Sequence, residues 1–393
     1  MQAVVGIRGA LRLSGSGVRV LALTRNALHL AVSFQPLQSA TRGNVMQFHV
    51  CPWRHAAGEG RSVNKRLLAV GATFAAISAI AGGDSLCEAL EDDTESGDVA
   101  CNLCDDNYFD AEYEPKKLLG CGTFGVVMQC VHKQTGRVAA VKMVHDIAGN
   151  QKEVEREKMT LECLERAGGH DGIISFDGSY YHNDFHYLVL EYVPGISLHS
   201  FVEKHRTLDA TWSLQLVSQL ASALQFMHQA DIVHRDLKPE NVMALVKDSG
   251  DAKENNDVTL KIIDFGSAGR ASQPEAADKA GTTTLSGTRC YWPPEVLQRQ
   301  GMTAAMDMWA LGCILYILIS GRHPFDLTGC STEEEVLQRV KTEPVSFLLP
   351  VWHDIPAETK ELIRGLLEKD PRHRLSAAQV MEHPAIVEAT KEL

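Results

Sequence analysis

From Tyr113 onward, apolar residues alternate with polar ones or recur at helical spacing, and turn residues punctuate them. Val126–Val131 and Val138–Val144 read as two strands joined by the turn "KQTGR". The stretch "QKEVEREKMTLECLERA" then changes to a helical period. With Glu157 facing inward, Leu161 and Leu164 at +4 and +7 share its face. Further upstream, "LLAVGATFAAISAIAGG" (residues 67–83) carries no charge. Its 17 residues span roughly 25 Å as a helix, against a hydrocarbon core of about 30 Å, and they are rich in Ala, Gly and Ser.

Charge divides the amino-terminal region into three. Residues 1–66 hold nine Lys and Arg against a single acid, Glu59, and the first 58 hold none. Ser and Thr accompany the arginines, and Arg8, Arg12 and Arg19 share one face at helical spacing, interrupted by Gly15 and Gly17. That composition predicts a mitochondrial targeting segment, with a chloroplast transit peptide or a cytoplasmic chain as alternatives. Residues 67–83 are then a candidate membrane anchor, free of charge within and flanked by Arg61, Lys65 and Arg66 before it and Asp84 after it. The other readings are a further part of a cleaved presequence and a buried helix. Residues 84–112 contain eleven Asp and Glu and no Lys or Arg, the composition of a disordered acidic linker.

The whole chain of 393 residues has room for two or three domains, and its net charge of -12 argues against nucleic acid as a partner. The ten cysteines lie without the spacing of a disulfide framework, which fits a reducing compartment. Cys101 and Cys104 form a CxxC that no second pair accompanies, so neither zinc nor redox chemistry follows from it.

Chemistry concentrates in "HRDLKPEN", residues 234–241. Composition alone would make it an exposed loop. Its surroundings change that reading. Gly120, Gly122 and Gly125 lie between strands rather than at the start of a helix, which argues against a dinucleotide fold. Glycines in a hairpin let backbone N–H groups close over phosphates. Lys142, at the end of "VAAVK", could reach phosphate oxygens, with Glu157 as its partner and Glu153 and Glu155 as rivals.

With "GCGTFGVV", "VAAVK", "HRDLKPEN", "DFG" at 264–266, "PPE" at 293–295, "DMWALG" at 307–312 and "DPRHRLS" at 370–376 in this order, the chain from 114 to 390 resembles a eukaryotic protein kinase catalytic domain. "KPEN" resembles the Ser/Thr type. "GRHPFD" and "HPAI" look nearest to the calcium/calmodulin-dependent group. The resemblance implies a bilobal α+β fold, with a small antiparallel-sheet lobe carrying one major helix at 113–193 and a larger, mainly helical lobe at 194–393. It implies ATP and Mg²⁺, protein substrates, and an upstream activating kinase.

The resemblance also distributes roles. Asp236 would orient or accept the substrate hydroxyl proton, and Lys238 would steady the transferring phosphoryl group. Lys142, positioned by Glu157, would grip the α- and β-phosphates, while Asn241 and Asp264 would hold metal. Nucleotide binding would fall to Leu119, Gly120, Cys121, Gly122, Thr123, Phe124 and Gly125 above the phosphates. Val127, Ala140 and Met243 would sandwich the purine, Glu191 and Val193 would offer it backbone groups, and Leu190 would stand at the back. Leu161, Phe176, His234 and Phe265 would stack as packing residues, Asp307 would brace the catalytic loop, and Glu295 would pair with Arg374. Ser272, Thr282, Thr283, Thr284 and Ser286 are candidate phosphorylation sites, with Arg235 as a cationic partner, and Thr288 would hydrogen-bond near Asp236. The alternative is a pseudokinase or nucleotide-binding scaffold, opposed by the presence of Lys142, Asp236 and Asp264 together.

Overall fold

The computed structural model describes residues 31–33, 49–51, 109–121, 125–147, 150–246, 258–273 and 288–391, and the chain divides into two units, Met1–Val99 and Ala100–Leu393. In the first unit, β1 (Ala31–Ser33) pairs antiparallel with β2 (His49–Cys51). The arginine face of the expected targeting segment and the uncharged run at 67–83 lie outside the described residues.

In the second unit the described chain opens on a short helix, α1 (Phe109–Glu112), inside the segment expected to be a disordered linker. Phe109 is 2% exposed and stacks on Tyr187 and Tyr113 at ring distances of 4.4 and 5.3 Å. Glu112 accepts a hydrogen bond from the Tyr180 hydroxyl at 2.9 Å. The packed chain therefore includes residues 109–112, a correction to the linker boundary at 112. One aromatic side chain carries enough apolar area to dock an otherwise acidic stretch, and segment composition averages it away.

Five strands follow in an antiparallel sheet of order β3-β4-β5-β7-β6: β3 (Tyr113–Cys121), β4 (Gly125–His132), β5 (Val138–His145), β6 (Phe176–His182) and β7 (Phe185–Glu191). The two expected strands lie within β4 and β5, paired Val127 to Lys142 and Val131 to Val138. Helix α2 (Gln151–Arg166) crosses between β5 and β6 and buries Val154, Glu157, Leu161 and Leu164. Those positions are three or four apart, so one stripe of the helix faces the core and carries Glu157 with it.

The second part is mainly helical. It contains β8 (Ile196–Ser197), α3 (Leu198–His205), α4 (Ala210–Gln229), β9 (Ile232–Val233), β10 (Val242–Val246), β11 (Val258–Ile262) and β12 (Gly269–Arg270). Helices α5 (Pro294–Leu297), α6 (Ala304–Ser320), α7 (Glu333–Thr342), α8 (Ala357–Leu366), α9 (Ala377–Met381) and α10 (Pro384–Ala389) complete it. Helix α6 is apolar nearly all round, which requires burial on every side. From Met306 to Tyr316 every residue of it is buried. Asp307 is the exception in chemistry, a carboxylate 1% exposed within that helix. The fold is thus α+β and bilobal, as the resemblance implied.

The chain passes from β7 to β8 close against β10. At Gly195 an added Cβ would lie 2.3 Å from the Ala244 carbonyl oxygen, so a side chain there would push the two segments apart. The polar insert at 247–257, between the antiparallel strands β10 and β11, lies outside the described residues.

Candidate active site

Strand β5 places Lys142 opposite Val127 on one side and Leu188 on the other, in the middle of the sheet. Its ammonium donates to both Glu157 oxygens, at 2.9 Å to Oε1 and 2.7 Å to Oε2, and to Asp264 Oδ1 at 3.1 Å. Glu157, rather than Glu153 or Glu155, is therefore the partner. Burial opposes charge on Lys142, but the two carboxylates outweigh it and hold the ammonium above the usual lysine range. Asp264 is lowered, first by the Lys142 charge. Burial raises Glu157 and Lys142 opposes that rise. Three side chains from separate parts of the chain thus share one charged centre.

The second centre is local. Asp236 Oδ2 accepts from Lys238 Nζ at 2.8 Å and from Asn241 Nδ2 at 3.0 Å, and Asn241 also donates to the Asp236 carbonyl at 2.9 Å. Asp236 Oδ1 is buried and accepts nothing. Burial raises the Asp236 carboxyl, against the lowering effect of Lys238. From below, Asp307 accepts from the backbone N–H groups of His234 and Arg235 at 2.9 and 3.0 Å, and from His228 Nε2 at 3.0 Å. Arg235 and Asp264 both have left-handed backbones, with φ of 68° and 64°. Non-glycine residues persist there only when their surroundings hold them, and such strain gathers at functional sites.

Both centres face one cleft of about 640 Å³ between the sheet and the helical part. Leu119, Gly120, Cys121, Gly125, Val127, Ala140, Leu190, Val193 and Met243 line it together with Lys142, Glu157, Asp236, Lys238, Asn241 and Asp264. Its walls are apolar near Val127, Ala140 and Met243, and its charge collects at the far end, a division that suits a purine joined to phosphates. The Glu191 side chain holds Ser175 N at 3.3 Å and Lys261 Nζ at 2.9 Å. Its N–H donates to the Ser175 carbonyl, which leaves the Glu191 carbonyl as the backbone group for a purine edge. At Gly125 an added Cβ would stand 2.0 Å from the Met143 carbonyl oxygen, so only glycine lets β4 lie this close to β5.

The donor set fits magnesium. Asp264 offers carboxylate oxygens, and the Asn241 amide, whose nitrogen is used by Asp236, has its carbonyl oxygen as its remaining donor. Both are hard oxygen ligands, and Mg²⁺ is commonly held by one or two carboxylates together with substrate phosphates.

The packing residues also meet. His234 and Phe265 are fully buried with rings 5.1 Å apart, and Leu161 is 1% exposed in the same core, against which Phe176 packs. Ser272 is held by Asp231, which accepts from its hydroxyl at 2.6 Å and from its N–H at 2.7 Å. Gly122, Thr123, Phe124, Thr282, Thr283, Thr284, Ser286 and the Thr288 side chain lie outside the described residues.

Sequence reasoning missed a second cavity, also about 640 Å³, lined by Arg156, Arg235 and Arg270. Arg235 was singled out alone. Arg156 beside Glu157 and Arg270 shortly after "DFG" were visible, but nothing local says that they converge. Lys261 and its grip on Glu191 were missed for the same reason.

The family profile described as "Protein kinase domain" matches residues 113–386. The chain is 38% identical over 278 residues to the serine/threonine-protein kinase PKZ1 of Phytophthora infestans, covering 68% of each protein. It is 33% identical over 276 residues to the serine/threonine-protein kinase DCLK3 of Mus musculus, covering 70% of this chain and 33% of that one. With the ribosomal protein S6 kinase alpha-2 of Mus musculus it shares 32% identity over 280 residues, 71% of this chain and 36% of that one. The charged cleft and these matches together make the chain a member of the protein kinase domain family, and an ATP-dependent protein serine/threonine kinase.

Proposed function

We propose that phosphoryl transfer in this kinase runs through Asp236, Lys238, Lys142, Asn241 and Asp264, with Glu157 as the positioning residue of Lys142. The observation that carries this is the asymmetry of the Asp236 carboxylate. One oxygen is fixed by Lys238 and Asn241, and the other is buried without a donor. A substrate Ser or Thr hydroxyl supplies that donor, and Asp236 Oδ1 then orients it and accepts its proton. Lys238 would steady the transferring group, and Lys142 would hold the α- and β-phosphates of ATP. Asn241 and Asp264 would hold Mg²⁺, which when bound neutralises charge on the phosphate oxygens. A radiolabelled transfer assay on the full chain tests this. Asp236→Asn and Asp264→Asn should each abolish most transfer to a protein substrate, and activity at the wild-type level in both would overturn the assignment.

Control by phosphorylation is supported by the cavity that Arg156, Arg235 and Arg270 line, since guanidinium groups donate paired hydrogen bonds to phosphate oxygens. An upstream kinase acting on Thr282, Thr283, Thr284 or Ser286 would supply that phosphate. Ser272 is less suited, because its hydroxyl is already committed to Asp231. Alanine at all these positions should lower activity, and an unchanged rate would remove this form of control.

Nearness to the calcium/calmodulin-dependent group rests on "GRHPFD" and "HPAI". Preference for basic substrates has little support: Ser197 caps α3 by accepting from Ser200 N at 3.1 Å, and Glu240 is the acid that remains nearby. A mitochondrial location, with anchoring through residues 67–83, rests on the arginine-rich, acid-poor start and the uncharged run after it. No helix among the described residues is long and apolar enough to cross a membrane. Fractionation of cells carrying the tagged chain tests the location, which fails if the protein is absent from mitochondria.

A further inference from the structure

The chain crosses from the sheet to the helical part through residues 191–196, and both ends of that crossing are held. At the far end Ile196 pairs with Ala244 and Ser197 with Met243, in the ladder between β8 and β10. At the near end the Glu191 N–H donates to the Ser175 carbonyl at 3.0 Å. Its carboxylate is gripped as well: Oε2 accepts from Ser175 N at 3.3 Å and from Lys261 Nζ at 2.9 Å. With the Lys261 side chain 13% exposed and that of Glu191 26%, the pair is shielded from much of the solvent that weakens surface ion pairs.

Lys261 projects from a strand that is itself fixed. In β11 it stands opposite Met243, which lines the cleft, and its neighbour Ile262 donates to the Gly172 carbonyl at 2.8 Å and accepts from Ile174 N at 3.0 Å. The Lys261 ammonium also lies 3.5 Å from the Ile173 carbonyl oxygen. Lys261 is not among the residues lining the cleft, so its effect on a nucleotide runs through Glu191.

What such a tie fixes is direction. The Glu191 carbonyl is the backbone group left for a purine edge, and a hydrogen bond weakens steeply once its angle falls below about 120°. Tethering the side chain of the same residue to a fixed strand limits the swing of that carbonyl. An acceptor ordered in advance costs less to order when the ligand arrives.

We infer that Lys261 is a positioning residue for the nucleotide: by holding the Glu191 carboxylate it aims the Glu191 carbonyl at the exocyclic amine of adenine. The preference for ATP over purines without that amine then depends on a side chain outside the cleft. The inference rests on the reading of Glu191 as a purine contact. A tie of purely structural value would act on stability alone.

The test compares two nucleotides on the full chain with Mg²⁺ present: ATP, and purine riboside triphosphate, which lacks the 6-amino group. Affinities are measured by titration, and Tm beside them, for the wild type, Lys261→Met, Glu191→Ala and both changes together. The wild type should favour ATP by about tenfold, the worth of one net hydrogen bond. Lys261→Met should bring that ratio down to about twofold through weaker ATP binding, with the affinity for the analogue little changed. In the Glu191→Ala background Lys261→Met should have no further effect on the ratio, because the ammonium then has no carboxylate to hold. A wild-type ratio in Lys261→Met with any change confined to Tm, or an equal effect of Lys261→Met in both backgrounds, would overturn the inference. Where Lys261→Met does not fold, an unchanged ratio in Glu191→Ala overturns it as well. If the wild type itself does not distinguish the two nucleotides, the Glu191 reading fails and the inference falls with it.

Discussion

Arg374 grips Glu295 with both arms of its guanidinium, at 2.6 Å to Oε1 and 3.0 Å to Oε2, across 79 residues of sequence and with both side chains buried. Arg374 also donates to the Ala305 and Glu368 carbonyls and lies 5.1 Å from the Trp309 ring. The pair ties the short helix α5 to the far end of the helical part.

Breaking one side of that pair leaves a buried charge alone, which costs about 3–5 kcal/mol. Arg374→Ala or Glu295→Ala should therefore lower Tm by roughly 10 °C in a domain of this size. Replacing both by apolar residues of similar volume should recover part of the loss. Thermal unfolding checks this, and a Tm within a degree or two of wild type for either single change would contradict it.

Asp236→Asn keeps the side-chain shape but removes the proton acceptor. Transfer should fall by roughly 10²–10⁴-fold, the range expected for a general base. Nucleotide affinity should change much less, because the role proposed for Asp236 is toward the substrate hydroxyl rather than the nucleotide. Asp264→Asn should lower both transfer and the affinity for Mg·ATP. Nucleotide titrations beside the transfer assay separate the two cases.

The buried Asp307 gives a pH dependence of known sign. Burial alone would raise its carboxyl; the hydrogen bond and charge of His228, with backbone donors, outweigh this and the net direction is down. A carboxyl lowered on folding contributes stability that is present above its unfolded value, about 3.9, and is lost as pH falls through the folded value. Asp307→Asn should be less stable than wild type at pH 6, and the difference should shrink below pH ~4. Urea unfolding at several pH values measures it, and a difference that is constant down to pH ~2.5 would refute the linkage.

Phe109 anchors the start of the described second unit. Phe109→Ala removes a ring packed on Tyr187 and Tyr113 and should cost about 3–5 kcal/mol. A chain beginning at Tyr113 should show at least the same loss, since it lacks that ring and also the Glu112 carboxylate that accepts from Tyr180. Denaturant midpoints compare the two, and a full-length-like midpoint for either would show that the docking contributes nothing.

Much of the site was legible because its chemistry is local. Asp236, Lys238 and Asn241 lie within six positions, and their mutual hydrogen bonds form inside one loop. The two strands around "KQTGR" were legible too, since alternation reports a sheet with one face covered. Phe109 was not, because a single aromatic in an acidic stretch changes no composition average, yet finds a pocket of tyrosines made by β3, β6 and β7. Among Glu153, Glu155 and Glu157, the period of α2 favoured one without excluding the others.

The sequence by itself determined which chemical groups this protein owns and the order in which they occur: a lysine on a strand, a loop with an aspartate, a lysine and an asparagine, and a second aspartate before Phe265 and Gly266. Only the tertiary structure decided that Lys142 meets Glu157 and Asp264, the latter 122 residues away, and that Arg156, Arg235 and Arg270 border one cavity. The physical reason is range. Backbone propensity and side-chain period act over a few residues, whereas the contact of distant charges depends on how a helix and a sheet pack together, and that is fixed by the whole buried core at once.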